Sequence, residues 1–267
     1  MKSFTWFVFF LSLPVQGLNS LSASEMDLIL QKHLDAVGGA SAIARLNSIR
    51  SSGVVLISSQ RVPFEFWAAF PNKLRIESSI GERIHVQCYD GVNPPWQWFP
   101  ETIYSIPEEL ADEVAVEFIS DSDFNGPLIN HQGKGHELTL EGKTSNDARE
   151  VYRIALIEKT GLKSTILVDA ETYLIVRRSG VRRGGGTAIE LDTYYLDYRN
   201  VAGVLLPHRY EIYRGTTLVR TTLIQSLEGN VRIPPAVFRL PDGPDPVRAR
   251  IEAEHAQSER TIPMVAP

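Results

Sequence analysis

The chain has 267 residues, a formal charge of -5, 43% hydrophobic residues and a single cysteine. That length suits one large domain with its own core, and a lone cysteine leaves packing, not an intramolecular disulfide, to hold it together. The mildly acidic balance argues against nucleic acid as the principal partner, although "VRRSGVRR", residues 176 to 183, is a local basic patch.

Lys2, the apolar run "FTWFVFFLSL" and Pro14 have the layout of a secretory signal peptide over residues 1–22. The run is too short to span a bilayer comfortably. Val15 with Gly17, or Ser20 with Ser22, would satisfy the small-residue rule for cleavage, and the competing reading is a buried N-terminal helix or strand. No cysteine lies near these positions, so a lipid anchor of the bacterial lipoprotein kind is not indicated. The expected product is an exported protein, with a domain over 23–240 and a polar, mobile tail over 241–267.

From Glu25 to Arg50 the spacing of Met26, Ile29, Leu30, Leu34 and Val37 predicts an amphipathic helix, with Ser24 as its cap and Gly38-Gly39 as its stop. A shorter helix follows over 41–47. The segments "GVVLISSQ", "PFEFWAAF", "NKLRIES" and "RIHVQCY" are short, rich in branched and aromatic residues, and bounded by Gly, Pro or Asn, as strands are. In "PEELADEVAVEFI", acidic residues lead an apolar helical spacing, which predicts a helix near 107–118. Seven further strand-like segments run from "HELTLEG" to "TLVRTTLIQSLEG" with no crossover helix between them.

These features predict a mainly β fold: a single antiparallel sheet of about eleven strands, curled into an incomplete barrel. The N-terminal helix and the mid-chain helix cover its concave face. Period two is clear in Ile84, Val86 and Cys88 against Arg83, His85 and Gln87.

Few residues invite bond chemistry. Cys88 falls on the apolar phase of a strand, with His85 on the other, which fits a buried core thiol better than an activated nucleophile. The six histidines form no tight ligand set; His131 and His136 flank a loop but read as surface residues. "DSDFNG", 121 to 126, opens like a calcium loop, yet the position needing a bidentate acid is Gln132. "RRGGG", 182 to 186, lacks the Lys-Ser or Lys-Thr of a phosphate loop and reads as a hairpin tip. No catalytic residue, metal site or cofactor is therefore expected.

The aromatic residues Trp67, Phe70, Trp96, Trp98, Phe118 and Phe124 are concentrated where sheet and lid helix would meet. Taken singly, each fits a core position. Taken together, they mark a groove for an acyl chain or an apolar peptide.

"FPNKLRIES", residues 70 to 78, and "CYDGVNPPWQWFP", residues 88 to 100, resemble a pattern of bacterial outer-membrane lipoprotein-sorting proteins, the LolA/LolB-like group. The matching positions are Pro71, Asn72, Arg75 and Glu77, then Asp90, Gly91, Trp96 and Pro100. "LILQKHLDAVGGASAIARLNSIRSSG" and "YYLDYRNVAGVLLPHRYEI" resemble the start and the later strands of an uncharacterised branch, so the likeness spans residues 25–240. It implies a half-barrel with a helical lid over an apolar cavity, acting as a soluble periplasmic carrier of lipid or lipoprotein acyl chains without bond chemistry. Arg75, Arg177 and Arg178 would meet lipid headgroups, a membrane or an envelope donor or acceptor protein. An envelope scaffold with a filled core and, more remotely, a hydrolase are the alternatives.

Overall fold

A computed structural model describes residues 17–100, 106–146, 149–184 and 187–241. Most of the expected signal peptide and nearly all of the expected tail lie outside these residues. Helix α1 runs Gly17–Ala36 and α2 runs Gly39–Arg45. The first strands are β1 Ser48–Ile57, β2 Gln60–Ala69, β3 Lys73–Ile80, β4 Arg83–Tyr89, β5 Trp96–Trp98 and β6 Glu108–Glu109. Helix α3, Asp112–Asp121, precedes β7 Glu137–Asn146, β8 Arg149–Ile157, β9 Lys163–Asp169 and β10 Ile175–Gly184. The last elements are β11 Thr187–Val201, β12 Val204–Arg214, β13 Thr217–Gly229 and a 3-10 turn, Pro235–Phe238. No described helix is long and apolar enough to cross a membrane.

All thirteen strands form one antiparallel sheet in the order β6-β5-β4-β3-β2-β1-β13-β12-β11-β10-β9-β8-β7, not closed into a barrel. The curled single sheet is the expected one. The two extra strands are the shortest, β5 with three residues and β6 with two, and β6 occupies the beginning of the segment expected to be helical. Helix α3 therefore starts later, with Asp112 and Glu113 in its first turn, where the helix dipole favours acids. Helix α1 extends N-terminally past Ser24, which lies within it and is not its cap.

Two meanders, β1 to β6 and β7 to β13, are joined through the β1–β13 ladder, from Ile49 opposite Gly229 to Leu56 opposite Thr221. A bulge at Ser52/Gly53 interrupts that ladder. A Cβ on Gly53 would lie 2.2 Å from the Leu223 carbonyl oxygen, so no larger residue fits there. Gly38, at φ 127°, ends the first helical segment and packs so closely on the turn before β12 that a Cβ would lie 2.2 Å from the Gly203 carbonyl oxygen. The adjacent Val37 carbonyl accepts the Leu205 N–H at 2.9 Å, tying the helical corner to β12.

Both edges of the sheet are short or irregular. The two residues of β6 are exposed glutamates, and β7 carries a register shift between Leu140 and Gly142. The chain joining these edges holds α3 and the loop that follows, so the lid segment bridges the open side of the sheet.

Side-chain alternation supplies two apolar faces. On the helix-covered face, Met26 and Ile29 of α1 pack on Ile154, Leu156, Ile166 and Val168. Helices α2 and α3 contribute Ile43 and Phe118 to a second cluster with Ile49, Ala68, Leu74 and Val204. The reverse face carries a third cluster, in which Trp67, Val86, Cys88, Trp96 and Trp98 are covered by Val237 and Phe238. The Arg75 guanidinium, 1% exposed, donates to Glu77 Oε1 at 2.8 Å and to the Val237 carbonyl at 3.1 Å, clamping the C-terminal 3-10 turn to that face.

His33, near the end of α1, is buried with Nδ1 2.8 Å from the Tyr173 carbonyl. Burial lowers its pKa, outweighing the hydrogen bond that favours the charged ring. A histidine depressed in the folded state contributes stability above its unfolded pKa of about 6.5, and that contribution is lost as the pH falls through the folded value. His85 shifts in the same direction, also by burial. The urea midpoint is accordingly expected to drop between pH 7 and 5, and less steeply in His33→Gln than in the wild type. For the reverse face, Phe238→Ala should destabilise the protein by about 3 kcal/mol or more in urea titrations and shift tryptophan emission to longer wavelength.

Candidate functional site

The helix-covered face encloses a cavity of about 570 Å³, within the roughly 300–1,000 Å³ usual for small-molecule sites. One part of its wall is apolar. Strands β2 and β3 present Phe64, Phe66, Leu74 and Ile76, while β12 and β13 present Leu206 and Leu227. Phe64 and Phe66 stack with ring centroids 6.4 Å apart. The α2 corner adds Val37, Ile43 and Leu46.

The other part is aromatic and cationic. Arg178, Thr193, Ile212 and Arg220 are successive partners across β10, β11, β12 and β13, and all four line the cavity. The adjacent row places Tyr195 opposite Tyr210, their rings edge to face at 5.6 Å. Burial raises the pKa of both phenols and of a third lining residue, Tyr198, whose hydroxyl donates to the Ile175 carbonyl at 2.8 Å. These groups are neutral hydroxyls at physiological pH.

The end of α3 is latched to this wall. Arg178 pairs with Glu158 and donates to Ser164 Oγ at 3.1 Å, while Ser120 of α3 donates to the same Glu158 carboxylate at 2.7 Å. Arg182 lies 3.3 Å from Glu117 and 3.5 Å from Asp121, both on α3. Phe124, just beyond the helix, donates its N–H to the Pro71 carbonyl at 3.2 Å and meets the exposed Phe70 ring edge-on at 6.4 Å. The lid is thus fixed at both sides of the concavity.

Of the aromatic residues singled out in the sequence, Phe124 lines the cavity and Phe118 packs into the apolar cluster under α3. Phe70 is half exposed beside Phe124. Trp67, Trp96 and Trp98 lie on the reverse face, under the C-terminal turn, because the strand phase that carries them points away from the helices. Arg75 is buried on that face as well, and Arg177 faces away from Arg178, with its guanidinium near Tyr194 and Asp192. Arg178 alone of the three arginines lines the cavity.

The calcium-loop resemblance has a local explanation: Asp123 binds Lys134 at 2.6 Å, and the Lys134 ammonium also donates to the Gly126 carbonyl at 2.7 Å. No group of three or more His, Cys, Asp or Glu residues converges as a metal site among the described residues. The alternation did not single out Phe64 and Phe66, the alternate phase of "PFEFWAAF", nor Tyr195, Tyr210 and Arg220, and Arg182, which reads in sequence as part of a basic patch and a hairpin tip, lines the cavity. The signal for the tyrosines was present as Leu191, Thr193 and Tyr195 on one phase of β11.

The residues of the quoted motif also acquire places. Asp90 accepts the N–H groups of Val92 and Asn93 at 2.9 and 2.8 Å and the Asn93 amide at 2.7 Å. Burial works to raise its pKa, but these hydrogen bonds outweigh it and hold the carboxyl below its ordinary range. Gly91, at φ 88°, sits against Asn72, whose amide donates to the Gly91 carbonyl at 3.4 Å. The motif builds two interlocked turns and the Arg75 clamp.

No family model and no curated protein matches the chain. Solved structures do. An outer membrane lipoprotein-sorting protein domain from Vibrio parahaemolyticus superposes with a TM-score of 0.57 at 10% identity, covering 81% of this chain and 97% of that one. A DUF1329 family protein from Desulfovibrio piger gives 0.54 at 11% identity, covering 80% and 97%. A LolA superfamily protein from Nitrosomonas europaea gives 0.52 at 13% identity, again covering 80% and 97%. At these identities the likeness is one of architecture, and the chain has the curled-sheet, LolA-like fold of these structures.

Proposed function

We propose that this protein is a periplasmic carrier that takes lipid or lipoprotein acyl chains into the cavity beneath α3 and hands them on without making or breaking a covalent bond. The observation that carries this reading is the cavity itself: about 570 Å³ of space on the helix-covered face, walled by Phe64, Phe66, Ile76 and Leu227. Each methylene moved from water into such a wall contributes about 0.8 kcal/mol, so one long chain gains appreciable affinity without any reacting group. The secretory layout of residues 1–22 supports export, and the LolA-like architecture supports an envelope role. A scaffold with a filled core is less well supported, because the concave face holds space where such a core would be packed. In the carrier reading, donor and acceptor are envelope proteins or membranes met transiently at the lid.

Loading requires the lid to move, and the Ser120–Glu158–Arg178 knot opposes that movement. Breaking a buried pair by removing one partner costs about 3 kcal/mol or more. Glu158→Gln is therefore expected to lower the urea midpoint and to speed uptake of a fluorescent fatty acid in stopped-flow measurements. Slower or unchanged uptake would argue that the chain enters by another route. Thr222→Trp, which fills the cavity from β13, should abolish equilibrium binding of the same fatty acid, whereas Trp67→Phe on the reverse face should leave it within about twofold. Failure of the wild-type protein to take up the fatty acid, together with unliganded protein in native mass spectrometry after gentle purification, would reject the carrier reading.

A further inference from the structure

The cavity is not uniformly suited to a hydrocarbon. Arg220 lines it from β13 and makes no hydrogen bond or ion pair among the described residues. Water reaches its side chain, yet its position inside the concavity lowers its pKa by burial, against the opposing effect of Asp121. Arg182 adds a second guanidinium, with Nη1 3.3 Å from Glu117 and Nη2 3.5 Å from Asp121, whose carboxylate lines the cavity. Tyr195 and Tyr210 stand between the Arg178 and Arg220 strands, and both hydroxyls are available as donors. A guanidinium that faces an open concavity without a carboxylate partner is a ready receptor for an anion.

Resting on the acyl-chain reading above, we propose that the cavity selects amphiphiles with an anionic headgroup, a carboxylate or a phosphate, which Arg220 and the Asp121 side of Arg182 receive while the chain lies along Phe64, Phe66 and Ile76. The apolar and cationic parts of the wall then correspond to the two ends of one ligand. Charge-assisted hydrogen bonds from a guanidinium to a carboxylate or phosphate are about twice as strong as neutral ones, and the fork geometry of arginine suits both acids. Asp121 sharpens the discrimination: its carboxylate, 3.5 Å from Arg182, is the group an incoming acid displaces. Since Asp121 ends α3, that exchange loosens one of the two ionic attachments of the lid. Headgroup arrival and lid release are coupled through a single arginine.

The test is displacement of a bound fluorescent fatty acid from the purified protein by palmitate, by 1-palmitoyl lysophosphatidate and by hexadecanol, all below their aggregation concentrations at pH 8. At least one of the two acids is expected to displace the fluorophore at concentrations about tenfold lower than hexadecanol. Arg220→Gln should remove most of that preference while leaving hexadecanol unchanged, and Arg220→Lys should retain much of it. Unchanged affinity for hexadecanol, with an unchanged far-ultraviolet circular dichroism spectrum, shows that the glutamine variant is folded. Stronger binding of palmitate assigns the site to free fatty acids; stronger binding of lysophosphatidate assigns it to phosphate-bearing lipids. Equal displacement by acids and alcohol in the wild type, or an acid preference that survives Arg220→Gln, overturns the headgroup site while leaving acyl binding intact. Absence of binding by any of the three overturns both.

Discussion

The β1–β13 ladder is the contact on which the concavity depends. It pairs strands from the two ends of the sheet-forming chain, so every strand between them belongs to the loop that this ladder closes. Bringing such distant segments together carries a closure entropy that local hairpins avoid. The hairpins on either side form two meanders from neighbouring sequence, and only the joined sheet is broad enough to curl around an interior. Gly53 is placed at the one bulge of this ladder, where the backbone approach excludes a Cβ.

Strand positions were legible because period-two alternation survives in nearly every segment. The polarity of the curl was not. In β2 both phases are apolar, Phe64 and Phe66 on one and Trp67 on the other, and alternation alone does not say which phase meets the helices. Tryptophan size drew attention to the phase that is filled. That phase is covered by Val237 and Phe238, from a proline-rich stretch with too few apolar residues to announce a packing element. The basic segment around Arg178 was visible, but a charged residue in a strand ordinarily reads as facing water. In a curled sheet the inward face can also hold charge, provided that partners such as Glu158 arrive from elsewhere in the chain.

The residues that carried the family resemblance turn out to do structural work. Asn72, Asp90 and Gly91 lock neighbouring turns, and Arg75 and Glu77 hold the C-terminal turn against the reverse face. None of these five lines the cavity. Such a motif reports the architecture and is silent about cargo, since turns and clamps can persist while the inward phase varies. Evidence for cargo has to come from the inward phase, from Phe64, Tyr195, Tyr210 and Arg220.

An open sheet invites strand addition at its edges, where backbone groups lack partners. Here β6 offers two exposed glutamates and β7 offers a bulged ladder. A peptide attempting to continue the sheet would meet charge at one border and broken register at the other. Recruitment by β-augmentation is thereby discouraged. The same borders protect a molecule with a large open sheet from polymerising with its own copies.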